Sequence, residues 1–218
     1  MGAPLVLVFG ADVPPMGRQA DHFDVEADAN IAAVRAQVEA TAVPSNTYML
    51  AVGMGDPVAI DGADWTREVL APLRLAFAFA TGAARKLRAG DDRGSIVFLL
   101  PSSALLPGGP PSARSVLLRA LLGMAEALRA ELGDSLTRAS IVFHAVGEEA
   151  IDLGARIERA VAEGLMYSLS ADLDAARISG YFAPLFAAID AAGAGPPLPD
   201  IGPMAMVYDL DRIGTRRG

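Results

Sequence analysis

Two runs of apolar residues, SIVFLL (95–100) and SIVFHAV (140–146), constrain this chain more than any other feature in it. Neither run alternates apolar with polar residues, so each reads as a strand buried on both faces. Between them Ser112–Leu132 is apolar at helical spacing, opens on a serine and closes on Gly133. A strand, a long helix and a second strand make a crossover connection, and crossovers join parallel strands. Helices that return over both sides of such a sheet explain why its strands carry no polar face.

The same pattern extends along the chain. PLVLVF (4–9) is a strand ending at Gly10, TYMLAVG (47–53) is another, and a further strand is expected around 181–188. A helix follows Asp28 as N-cap, with Ile31, Val34 and Val38 on one face. Asp64 to Arg88 reads as a long helix that Pro72 kinks or breaks near its first third. There Asp64 is the N-cap and Glu68 lies in the first turn, so Asp61 and its neighbours need not form a carboxylate cluster. A last helix is expected over 151–164, and the Pro- and Gly-rich stretch 193–218 reads as a tail that wraps the surface or reaches a partner. The expected architecture is one α/β domain over 1–218, a Rossmann-like doubly wound parallel sheet with helices on both faces.

Composition then narrows function. Of 218 residues 52% are apolar and 20% charged, which supports a large core and excludes disorder. A net charge of -8 argues against binding nucleic acid. The absence of cysteine removes disulfides, thiolate nucleophiles and most zinc sites. His22 and His144 are the only histidines and Lys86 the only lysine, so any chemistry that needs an ammonium group has one candidate. No basic leader or spanning apolar segment is read, so the expectation is a soluble, cytoplasmic protein with no membrane partner.

An open parallel sheet binds ligands beyond the carboxyl ends of its strands, with a Gly-rich first turn for phosphates. The first turn here is FGADVPPMG: Gly10 and Gly17 stand seven apart, outside the dinucleotide fingerprint, and two prolines withdraw N–H donors that a pyrophosphate would use. It reads as a surface loop.

The segment GSIVFLLPSSALLPGGPPSARSVLLRALLGMAEALRAELG (94–133) resembles the central stretch of the short-chain dehydrogenases/reductases, where a strand ends in paired serines and a long helix carries Tyr-x-x-x-Lys. DHFDVEADANIAAVRAQVEA resembles that family's Asp-Val strand end and next helix, and YMLAVGMGDPVAIDGADWTREVLAPLRLAF its Asn-Asn-Ala-Gly strand end and following helix. IVFHAVG resembles the strand before its Pro-Gly loop, and LSADLDAARISGYFAPLFA its last helix–strand region. The resemblance covers roughly residues 20–190 and rests on the order and spacing of these segments.

Carried over residue by residue, the resemblance implies a degenerate member. With Gly123 and Glu131 set on the family's helix, Arg114 stands where the catalytic Tyr belongs and Leu118 where the Lys belongs. The catalytic serine falls on Pro101 or Ser102, the helix Asn on Pro72, and the Pro of the Pro-Gly loop on Val146; Ala51-Val52-Gly53-Met54 replaces Asn-Asn-Ala-Gly. Hydride transfer to or from an alcohol needs a group that exchanges its proton, and Arg114 stays protonated while Leu118 has nothing to offer. Gly10 and Asp24 are 14 positions apart where the family fits a helix, a strand and another helix, so the first βαβ half is expected to be truncated by that unit. No cofactor is therefore expected on this chain; NAD(P) is expected on a partner subunit.

Other candidates have structural readings. Ser102 and Ser103 suit a turn capped by their hydroxyls, His144 a hydrogen-bonded core position, and Met204 and Met206 contact surfaces. On helix 112–132 the polar positions Arg119, Glu126 and Arg129 form only a narrow stripe, leaving an apolar face wider than a sheet-covering helix needs. Leu117, Leu121, Leu122 and Leu128 are accordingly expected at a subunit interface. Together these features predict a non-catalytic structural subunit, paired in a heterotetramer with a catalytically intact paralogue that oxidises or reduces an alcohol or ketone, CoA thioesters included. Two alternatives stay open: an autonomous regulatory or small-ligand-binding module, and an enzyme with a relocated site around Ser102, Arg114 and Asp56.

Overall fold

The strands Leu5–Phe9 (β1), Asp21–His22 (β2), Thr47–Val52 (β3), Gly94–Pro101 (β4), Thr137–His144 (β5) and Tyr167–Ser168 (β6) build one sheet in the order β2-β1-β3-β4-β5-β6, and every pairing is parallel. The structure is a computed structural model that describes residues 4–9, 21–22, 31–43, 46–53, 64–90, 93–106, 112–133, 137–145, 148–174, 176–180 and 183. Helices Ile31–Ala40 (α1), Ala71–Ala89 (α2), Ala113–Leu132 (α3) and Ala150–Glu163 (α4) alternate with the strands. Among the described residues no helix is long and apolar enough to cross a membrane.

The continuous apolar runs behave as their composition dictates. All six positions of β3 and all eight of β4 are buried. Alternate side chains leave opposite faces of the pleat. On one face Val6, Met49, Ala51, Val97, Leu99 and Val142 form a cluster with Leu153, Ile157 and Ala160 of α4. On the other, the Tyr48 ring meets Phe79 of α2 edge-on, with centroids 6.2 Å apart. Gly82 of α2 allows α1 to approach closely, since a Cβ there would lie 3.1 Å from the backbone oxygen of Arg35.

The truncated first half is visible in the topology. β2 pairs directly with β1, Leu5 opposite Asp21 and Val6 opposite His22. The connection between them, residues 10–20, lies outside the described residues, as do Asp28, Asp56, Asp61 and the tail 193–218.

Several elements depart from expectation. Tyr167–Ser168 pairs beside β5 where no strand was expected; of the strand expected around 181–188 only residue 183 is described, and it is helical. Two paired residues at the end of the sheet are too short a run to read as a strand. Strand β5 begins at Thr137, before the apolar stretch. The helix expected from Asp64 changes character just before Pro72: Thr66–Leu70 forms a π-turn leading directly into α2, and proline occupies the first turn of the α-helix. A proline lacks the N–H for an intrahelical bond and crowds the carbonyl four residues back; the wider π-turn accommodates both. Asp64 acts as the expected cap, its Oδ1 accepting the Arg67 N–H at 3.2 Å.

The chain divides into two compact units, Met1–Leu169 and Ser170–Gly218. In the second, Asp174 caps a helical segment over 176–180 by accepting the Arg177 N–H at 2.7 Å, and Arg177 pairs with Asp172 at 3.4 Å.

Candidate functional site at the carboxyl edge of the sheet

The ends of β3, β4 and β5 form the place where an open parallel sheet carries its ligand. Ser95 N–H donates to the Asn46 carbonyl at 2.9 Å, which directs the N–H groups of odd-numbered β4 residues toward β3. Carried along the register, the donor for the Val52 carbonyl falls on residue 101, and proline has no N–H. His144 supplies the missing donor: its Nε2 lies 2.9 Å from the Val52 oxygen, reaching over Pro101, its neighbour in the ladder. The imidazole is 1% exposed, and burial holds its pKa below the ordinary histidine value, against the opposing pull of the Val52 hydrogen bond. His144 is thus the hydrogen-bonded core residue its setting suggested.

Beside it, α3 begins at Ser112, whose hydroxyl accepts the Ser115 N–H at 3.1 Å while Ser115 Oγ accepts the Ser112 N–H at 3.0 Å. This capping box fixes Arg114 in the first turn. The Arg114 guanidinium donates to the Gly53 carbonyl at the end of β3, and its Nε is buried with no acceptor among the described residues. Burial lowers its pKa and the Glu68 carboxylate opposes that shift; a guanidinium so placed remains charged.

The turn after β4 is a 3-10 segment, Ser102–Ala104. Its closing bonds run from Leu105 and Leu106 N–H to the Ser102 carbonyl, at 3.0 and 3.1 Å. The N-cap of this turn is Pro101, and among the described residues no serine hydroxyl bond closes it. Backbone geometry suffices because Pro101, extended at φ -63 and ψ 150, already sets the direction of entry. After β5, Arg156 of α4 bonds the Glu148 carboxylate and donates to the carbonyls of Phe143 (2.5 Å) and Ser168 (3.0 Å). Val146 lies outside the described residues.

No family model matches the sequence, and no curated protein matches it. Solved structures do. The apo form of LigO from Sphingobium sp. superposes with a TM-score of 0.61 at 20% identity, over 91% of this chain and 78% of that one. A short-chain dehydrogenase from Burkholderia cenocepacia, in complex with NADP, gives 0.55 at 16% identity over 87% and 97% of the two chains. The bulky-bulky ketone specific alcohol dehydrogenase from Comamonas testosteroni gives 0.56 at 18% identity over 83% and 76%.

The fold is that of the short-chain dehydrogenases/reductases.

On this short-chain dehydrogenase/reductase fold, the residues that the sequence resemblance assigned to catalysis are engaged in the structure. Pro101 ends β4, and Arg114, in the first turn of α3, bonds the Gly53 carbonyl past the end of β3. Leu118 is 3% exposed and packs in the core, while Pro72 is built into the first turn of α2. The only lysine is engaged elsewhere, Lys86 Nζ donating to the Thr41 carbonyl just past the end of α1. At the two positions that the resemblance assigned, Arg114 is tied across the end of β3 and Leu118 is buried.

The expected interface is also corrected. Leu117, Leu121, Leu122 and Leu128 are 1%, 0%, 2% and 7% exposed, so all four belong to the core of this chain. The polar stripe does not mark the outer face either. Arg119 donates to Leu105 O at 2.8 Å, Arg129 to Ala139 O at 2.8 Å, and the Tyr167 hydroxyl donates to Glu126 at 2.9 Å. These polar groups lie on the flank of α3 and tie it to neighbouring segments, the two arginines through backbone carbonyls and Glu126 through the Tyr167 hydroxyl. The outer face instead carries Val116 and the small residues Gly123, Ala127 and Ala130, an apolar stripe that hydropathy alone cannot distinguish from core.

Proposed function

We propose that this chain is a degenerate short-chain dehydrogenase/reductase, a non-catalytic structural subunit of a heteromeric NAD(P)-dependent enzyme. Its partner is a catalytically intact paralogue in a heterotetramer, and that paralogue holds NAD(P) and oxidises or reduces an alcohol or ketone. In this it resembles the inactive subunit of (hydroxyphenylmethyl)succinyl-CoA dehydrogenase in anaerobic toluene breakdown, so a CoA thioester is a candidate substrate. The observation that carries the proposal is Arg114, a permanent cation bonded to Gly53 O, at the position that the sequence resemblance gives to the family's proton donor. A chain that keeps the family's sheet while filling its reactive positions with Arg114, Leu118, Pro72 and Pro101 retains a fold to contribute and no means of exchanging a proton.

The test is calorimetry of the chain alone with NADH and NADPH, followed by co-expression with an intact Tyr-x-x-x-Lys paralogue encoded beside it. Binding weaker than about 1 mM, or roughly -4 kcal/mol, and co-purification of the two chains are expected. Micromolar coenzyme affinity, or alcohol oxidation by the pure chain, overturns the proposal.

A further inference from the structure

Among the described residues Arg114 is a half-buried cation without a counterion. Its Nη2 donates to the Gly53 carbonyl, and the guanidinium has no other acceptor there. A guanidinium carries five N–H groups, so four are left over. Nε is buried and unpartnered, while Nη1 is neither buried nor bonded. Arg156, held at the same carboxyl edge of the sheet, shows what satisfaction looks like. It pairs with the Glu148 carboxylate and donates to the Phe143 and Ser168 carbonyls. Arg114, joined to one neutral carbonyl, bears the desolvation of a charge with little of the pairing that offsets it.

Its surroundings keep that charge uncompensated. The Glu68 carboxylate acts on Arg114 through space but is bonded to Arg67, its Oε1 accepting from Nε at 3.0 Å and pairing with Nη2 at 2.8 Å. No ion pair joins Glu68 to Arg114. The Ser112–Ser115 capping box also fixes Arg114 in the first turn of a 20-residue helix, where the helix dipole adds positive potential to the guanidinium's own. A chain with 26 acidic residues and a net charge of -8 has carboxylates to spare, yet none among the described residues is brought to this arginine.

We infer that Arg114 anchors a binding site for a small monocarboxylate, whose oxygens take up the free N–H groups of the guanidinium past the end of β3. One cation matches one negative charge. A dianion such as phosphate leaves a charge unbalanced in a half-buried site of an acidic protein, whereas a carboxylate balances it and presents two coplanar oxygens to a planar fork. The inference goes beyond the proposed function: a ligand held by Arg114 requires neither a paralogue nor a coenzyme.

The test uses the full chain alone, with sodium acetate as the probe. In nitrogen–proton correlation NMR the Arg114 Nε–H signal is identified by its loss in Arg114→Lys. Acetate should shift that signal saturably at millimolar concentration, and sodium chloride at equal ionic strength should not. Acetate should also raise the thermal midpoint of unfolding, as a ligand selective for the folded state does. Arg114→Lys keeps the charge and loses the fork, so it should need at least tenfold more acetate for the same rise. Arg114→Gln should show no rise. The absence of a saturable shift, or an equal shift with chloride, overturns the site. Phosphate binding tighter than acetate overturns the assignment to a monocarboxylate, and an Arg114→Gln midpoint that rises with acetate as the natural chain's does overturns the role of Arg114. Failure of the chain to co-purify with a paralogue bears only on the proposed function.

Discussion

His144 Nε2 stands 2.9 Å from the carbonyl oxygen of Val52, two strands away, in the place where Pro101 has no N–H to give. One imidazole thereby holds together the carboxyl ends of β3, β4 and β5. The carbonyl can only accept, so the ring carries its proton on Nε2.

Removing this donor leaves a buried carbonyl unpaired. His144→Ala should lower unfolding free energy by about 1–3 kcal/mol in urea titration. His144→Gln, which can still donate an amide N–H, should recover part of the loss.

The same residue sets an acid dependence. Its folded pKa is depressed by burial, so the unfolded chain takes up its proton first as pH falls. Its contribution to stability should be complete above the unfolded value of about 6.5 and decline below it, toward the lower folded pKa. Urea midpoints measured from pH 8 to 5 should fall more steeply for the natural chain than for His144→Gln. Parallel curves would show that another group governs acid unfolding.

Restoring the family's residues should not restore its chemistry. Arg114→Tyr should fold, because the Ser112–Ser115 capping box holds the helix start without it, and should show no NAD(P)-dependent alcohol oxidation by absorbance at the nicotinamide band. Adding Leu118→Lys should cost several kcal/mol, since that position is 3% exposed and would bury an ammonium. Turnover by either variant would show that the cleft accepts coenzyme.

Two glycines should respond oppositely to alanine. Gly82→Ala pushes a methyl to 3.1 Å from the Arg35 carbonyl and should destabilise by about 1–3 kcal/mol. Gly123→Ala enters open space and should stabilise the monomer by about 0.5–1 kcal/mol. Thermal or urea melts at dilute, monomeric concentration separate the two.

Burial also predicts the fate of the α3 leucines. Leu121→Ala should destabilise the chain itself by about 2–5 kcal/mol in denaturation, rather than leave a folded subunit that fails to assemble.

What the sequence by itself determined is the layered sheet and its punctuation. Uninterrupted apolar runs such as SIVFLL satisfy water-avoidance and backbone pairing together inside a sheet covered on both faces, and the helices between them make it parallel, so β1, β3, β4 and β5 were legible from composition and spacing. Ser112 and Gly133 bounded α3 because capping is a local affair of a few residues: the hydroxyl reaches an N–H three positions on, and Gly133 adopts φ 55, which other residues avoid. Tertiary structure decided which face of α3 looks outward. Arg119, Glu126 and Arg129 read as a solvent stripe, yet each finds a partner on a neighbouring segment, Leu105, Tyr167 and Ala139, at sequence separations no periodicity encodes. The small residues around Gly123 took the outside because the leucines filled the sheet side first. β6 and the π-turn before Pro72 were equally hidden, since each exists by virtue of what it packs against. The His144–Val52 bond belongs with them: a proline and a histidine 43 positions apart become complementary only when the register sets them side by side.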